Sequence, residues 1–101
     1  FDVYLNPNPA TRNVIPYLLD VQADLLDTLA TRVDVPLVLA DEMGLAAKTL
    51  NPKFKIKNTA VVMSTAELAG VSVRALGDKT TSLKGKRDEI IAALDLLFTG
   101  I

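Results

Sequence analysis

Cysteine and histidine are both absent from the 101 residues. Without cysteine there is no disulfide, no Fe–S cluster and no thiol nucleophile. Without histidine there is no Ser-His-Asp triad, and with both missing the usual zinc ligands are gone. Tryptophan is also absent and aromatics make up 5% of the chain, so little is available to stack on nucleic-acid bases. Glycines 44, 70, 77, 85 and 100 are scattered, with no Gly-rich loop to cradle a phosphate. No apolar run approaches the ~20 residues needed to span a bilayer. The N-terminus has no basic segment followed by an apolar stretch, so no signal peptide is expected and the cytoplasm is the expected compartment.

What is present suits one small domain. Half the residues are apolar and 23% are charged, a composition that folds and buries a core. A domain of this size hides roughly two-thirds of its unfolded surface, which leaves a thin stability margin. Net charge is −1 and the pI about 5.2, which argues against binding DNA by overall charge. Charge is uneven along the chain. Residues 1–47 hold seven acids against two bases, and residues 48–101 hold nine bases against five acids. The simplest expectation is that the two halves mix in the fold.

Phe1–Leu5 alternates apolar and polar and predicts a strand. Asn6-Pro-Asn-Pro9 ends it, so residues 6–15 read as an exposed loop. Tyr17–Gln22 and Thr31–Leu39 are two further strands. In the latter Val33, Val35 and Leu37 share a face, and Pro36 points to a sheet edge or a bulge. The intervening Asp24–Asp27 reads as a turn, and at least one of Leu25 and Leu26 is expected to be partly exposed. Asp41–Leu50 carries a weak helical signal. Lys53–Lys57 has strict period two, Asn58-Thr59 supplies a turn and Ala60–Ser64 returns, which predicts a hairpin. Gly70–Leu76 alternates again and is ended by Gly77-Asp78.

The period then changes. Leu83, Ile90, Ile91, Leu94, Leu97, Phe98 and Ile101 recur at spacings of three, four and seven, which predicts an amphipathic helix whose secure part is Lys86–Phe98. Thr81 or Ser82 is available as a cap, although Lys84, Lys86 and Arg87 oppose the helix dipole and Gly85 weakens that turn. Five or six short strands and one C-terminal helix make a mostly β (α+β), antiparallel domain over residues 1–101.

Candidate chemistry is sparse. Asp24 and Asp27 are two carboxylates in a turn, most simply a solvated surface pair. Asp88 and Glu89 are neighbours on a helix and face different ways. Lys53, Lys55 and Lys57 line one strand face. They read either as a basic stripe for an acidic partner or as charges that block edge-to-edge pairing. The apolar end Leu96-Leu-Phe-Thr-Gly-Ile101 has two readings of equal weight: docking on the sheet down to the last residue, or an apolar tip for binding another protein.

An ordered set of segments carries a family likeness. Asp20-Val-Gln-Ala-Asp-Leu-Leu-Asp27, Arg32-Val-Asp-Val-Pro-Leu37, Asn51-Pro52 before a hairpin, Gly70-Val-Ser-Val73, and Thr-Gly-Ile101 after an Ile-Ile-Ala-Ala-Leu-Asp helix occur in order. Over residues 17–101 this pattern resembles CcdB, the gyrase-poisoning toxin family of bacterial toxin–antitoxin systems. The resemblance implies a small SH3-like barrel of antiparallel strands with a second small sheet and a C-terminal helix. It implies a homodimer that binds the DNA gyrase A subunit and traps the gyrase–DNA cleavage complex. No catalysis, cofactor or metal is implied. A CcdA-like antitoxin would neutralise the toxin, and the pair would repress its own operon, so that operator DNA is met only through that complex. The implied gyrase contacts are Thr99, Gly100 and Ile101, with Phe98 and Asp95 beside them and Leu25 and Leu26 near the dimer axis. Some members of the family carry tryptophan where this chain has Thr99, while others also end Thr-Gly-Ile. Two alternatives stand beside this reading: an endoribonuclease of the MazF/Kid type, using Arg12, Arg32 or Arg74, and a non-toxic relative that only binds antitoxin.

Overall fold

A computed structural model of the chain describes residues 1–23, 26 and 28–100. Seven strands and one α-helix run in the order β1 (Asp2–Leu5), β2 (Tyr17–Asp20), β3 (Thr31–Leu39), β4 (Lys53–Ile56), β5 (Thr59–Met63), β6 (Ala69–Ser72), β7 (Lys79–Ser82) and α1 (Arg87–Thr99). All pairings are antiparallel, in the order β4-β5-β3-β2-β1-β7, with β6 branching from β3. The sheet curls into an SH3-like barrel, and α1 adds Ile90 and Ala93 to its core. In place of a separate second small sheet, β6 branches from β3 within the one seven-stranded sheet. The first half of β3, Thr31–Asp34, pairs with β6, and its second half, Leu37–Leu39, pairs with β5.

Pro36 marks the changeover. It lies in a central strand, not at the edge or bulge that proline usually demands. It sits opposite Leu18 of β2, and its carbonyl accepts from the Ser64 N–H at 3.0 Å. The missing N–H would point the same way as that carbonyl, towards Ser64, whose own carbonyl instead accepts from the Glu67 N–H at 3.0 Å.

Strand alternation builds the core. Val3, Leu19, Val35, Leu37, Phe54, Ile56, Val61 and Met63 meet Ile90, Ala93 and Leu83 from the helical end. Ile90 and Ala93 are three apart, so they share the helix face that reaches the sheet. The two halves of the chain do mix, since Lys79 of β7 pairs with Asp2 of β1 at 3.3 Å.

Several elements differ from the sequence reading: the strand expected over Tyr17–Gln22 stops at Asp20, and the weak helical signal of Asp41–Leu50 becomes a 3₁₀ turn at Ala40–Glu42. The hairpin turn is Lys57-Asn58, with φ of 46° and 69°, and not Asn58-Thr59. Two successive left-handed residues match the twist of the flanking strands, and they carry Lys57 off the strand face that Lys53 and Lys55 share. The strand expected over Gly70–Leu76 stops at Ser72, where Val73–Ala75 close a 3₁₀ turn and the Ser72 hydroxyl accepts from the Arg74 N–H at 3.2 Å. β7 was not expected at all. Finally, α1 starts at Arg87 with no side-chain cap, while the Ser82 hydroxyl serves the preceding turn by accepting from the Lys84 N–H at 3.2 Å.

Candidate functional site

The core-facing stripe of α1 gives out before the helix does. Ile90 and Ala93 are buried and Leu94, Leu96 and Leu97 are half-buried, but Asp95, Phe98, Thr99 and Gly100 are exposed. Phe98 leaves 69% of its surface in solvent. Gly100 then takes φ +74°, and its N–H closes the helix on the Leu96 carbonyl at 3.0 Å. A left-handed residue at this position is the usual helix stop, and glycine adopts it without a Cβ penalty. The Thr99 hydroxyl donates to the Asp95 carbonyl at 2.6 Å, so it is held within the last turn. The tip therefore shows solvent one aromatic ring, one carboxylate and a glycine turn. Ile101 lies outside the described residues.

The second segment of the expected site follows β2. Leu26 is 43% exposed, and Leu25 lies outside the described residues, as do Asp24 and Asp27. Asp20, Gln22 and Arg32 organise this connection, a role that the sequence reading gave to none of them. Gln22 donates from Nε2 to the Leu26 carbonyl at 3.1 Å, accepts from the Val33 N–H at 3.1 Å, and sends its own N–H to Asp20 Oδ1 at 2.9 Å. Arg32 donates from Nε to Asp20 Oδ2 at 2.7 Å and from Nη2 to the Gln22 carbonyl at 3.4 Å. A glutamine and an arginine in strand-like sequence carry no mark of such a clamp, because the pairing depends on register.

A groove of about 450 Å³ lies between Val21–Ala23 and the helix residues Arg87 and Ile91, with Phe1 and Lys84 at its rim. The connection that leads to Leu26 thus starts alongside α1. Lys53 and Lys55 stand on β4, an outer strand of the sheet. Arg12 and Arg74 are exposed on separate loops, and Arg32 is engaged with Asp20. Among the described residues, no three acids converge to hold a metal ion.

Close to Leu26 sits an unusual pair. Asp34 of β3 stands directly opposite Asp20 of β2, and both are buried. Burial, and then the neighbouring Asp20, push the Asp34 carboxyl up to about 6, with Arg32 opposing.

A curled antiparallel sheet with one α-helix among the described residues, packed into its core and ending in an exposed tip, places the chain among small SH3-like barrel proteins with a C-terminal helix. Within that class the assignment is narrower. The family model described as CcdB protein matches residues 1–100, and the chain belongs to the CcdB family, toxins of toxin–antitoxin systems. The match includes the 6–15 loop, which lies outside the segments that carry the sequence likeness.

Proposed function

We propose that the chain poisons DNA gyrase. It acts as a homodimer that inserts its helix tips against the gyrase A subunit and holds the enzyme on cleaved DNA. The observation that carries this reading is Phe98, bared at the end of a helix whose other face is buried in the core. About 140 Å² of a phenylalanine's roughly 200 Å² remains available, enough for ~3 kcal/mol on burial at ~25 cal/mol/Å². Thr99 contributes little contact area, so Phe98 takes the part of the aromatic anchor. Gly100 directs the chain off the helix axis, and Asp95 sets a negative charge beside the ring. Leu26 adds a second apolar contact near the twofold axis. The chain supplies no chemistry of its own: the DNA break is made by gyrase, and the toxin binds the broken state best.

A CcdA-like antitoxin would cover the toxin and with it contact operator DNA. Gyrase works on DNA in the cytoplasm, so this reading places the chain there. No helix among the described residues is long and apolar enough to cross a membrane.

The test is a cleavage assay with purified protein, host gyrase, ATP and supercoiled plasmid. Linear DNA after detergent and protease is expected. Gly100→Glu is expected to abolish it while leaving the domain folded, because nothing lies within 4 Å of the position where a Cβ would be placed and the strain of a side chain at this left-handed, exposed position costs only roughly 1–2 kcal/mol. Absence of linear DNA with a folded parent protein overturns the proposal. Cleavage of RNA instead, lost in an arginine variant, would point to the ribonuclease alternative.

A further inference from the structure

Asp34 is 2% exposed, and among the described residues neither of its carboxylate oxygens has a hydrogen-bond partner. A buried polar group without a partner is destabilising, and a charged one more so. The charges around it explain why no donor arrives. On β2, Asp20 lies directly across from it. On its own strand, Arg32 is two residues away on the same face, but is bonded to Asp20 and to the Gln22 carbonyl. Beyond β2, among the described residues, Asp2 and Tyr4 of β1 and Lys79 of β7 stand on this side of the sheet, and Lys84 and Phe1 border Asp2, Asp20 and Arg32. On the other flank, β6 offers none: its last pair sets Ala69 opposite Asp34. Glu67, just before β6, accepts from the Ser64 hydroxyl. One guanidinium thus faces two buried carboxylates, and the unserved one adjoins the sheet's branch.

The two flanks differ in how firmly they hold. β2 is locked between β1 and β3. β6 is four residues long and pairs only with β3, and Ala69, Gly70 and Ser72 are exposed while Val71 is half-buried. Lifting β6 therefore exposes little apolar surface and gives water a path to Asp34. Such short edge elements occupy the low end of local opening free energies.

We propose that β6 is a proton-linked flap, closed on β3 when Asp34 is protonated and released when Asp34 ionises, so that water solvates the carboxylate. The raised affinity of Asp34 for its proton sets the working range near pH 6, so the flap is released more often at neutral pH than at pH 5. Release bares the Thr31–Asp34 edge of β3 and leaves the β4-β5-β3-β2-β1-β7 path intact. This goes beyond gyrase binding and does not depend on it.

Amide hydrogen exchange on the folded full-length chain tests it, with rates corrected for the intrinsic pH effect. Protection of the Ala69 and Val71 amides, which face β3, is expected to fall at least tenfold relative to Leu18 and Leu19 of β2 between pH 5 and pH 8. Asp34→Val and Asp34→Asn are expected to remove that difference. Equal protection of β6 at both pH values overturns the proposal. So does a parallel loss in β2 and β6, which would be global destabilisation, and so does an unchanged difference in either folded variant.

Discussion

The two faces of α1 are assigned different work, and one pair of truncations separates them. Ile90 is fully buried in the core. Cutting it to alanine removes buried methyl groups and leaves a cavity, at a cost of ~2–5 kcal/mol. With about 4–8 °C of Tm per kcal/mol for a domain of this size, a loss of ~3 kcal/mol lowers Tm by roughly 12–24 °C. Phe98 has only about a third of its surface covered. That third is about 60 Å², worth at most ~1.5 kcal/mol to folding at ~25 cal/mol/Å². Binding reverses the order. Phe98→Ala forfeits the ~3 kcal/mol of exposed ring, a loss of roughly 100-fold in affinity for the gyrase A subunit. Ile90→Ala, held well below its melting point, keeps its affinity within a few-fold. Urea unfolding and titration against a gyrase A fragment measure both quantities on the same samples. The reasoning fails if Phe98→Ala lowers stability as far as Ile90→Ala does, or if the folded Phe98→Ala protein binds like the parent.

Three further outcomes follow from particular contacts. Asp34 binds its proton more tightly folded, at about 6, than at its ordinary value of 3.8; the folded state therefore holds the extra proton between those values, and stability is greatest below pH 4 on this account and falls as pH rises through 6. Asp34→Val should flatten that slope in urea titrations and raise stability at pH 8 by about 1–3 kcal/mol, the penalty of an unpartnered buried polar group. Gly77→Ala places a Cβ 2.6 Å from the Leu5 carbonyl oxygen, at the close where β1 meets β7, and should cost about 1–3 kcal/mol by overpacking, read as a lower thermal midpoint. Lys57→Asn with Asn58→Gly supplies the residues that a two-residue left-handed turn favours; it should raise the midpoint by several degrees, and no change would show that the turn is not under strain.

Elements with strong local patterns were legible in the sequence, and elements formed by their surroundings were not. Thr31–Leu39 showed its inward valines and became β3 with the same limits. The helix was placed to within a residue at either end, because Ile90 and the leucines repeat at its period. β7, Lys79-Thr-Thr-Ser82, contains no large apolar residue, and its place comes from backbone pairing with β1, where Thr81 meets Val3. The hairpin was legible but its turn slipped by one, since lysine gives no hint of a positive φ. At the candidate site the exposed Phe98 was open to either reading until the sheet fixed which helix face is covered. Leu26 is partly exposed, as two adjacent leucines require of one. Asp34, between Val33 and Val35, was not singled out by the sequence. Its burial depends on β6 arriving from 35 residues away, which no local pattern records.

The position of β1 has a consequence for how the molecule is made. Its two neighbours are β2, which follows shortly, and β7, which comes some 75 residues later. A nascent chain that has emitted six strands still holds β1 with one side unpaired, waiting for Lys79–Ser82. At roughly 5–20 residues per second that wait lasts several seconds. The helix bearing Phe98 is translated after β7, so the contact surface emerges only once every strand it rests on has left the ribosome. Translation order therefore keeps the proposed gyrase contact out of reach until the sheet can close, and the exposed edge of β1 is the point at which an incomplete chain is most open to capture or proteolysis.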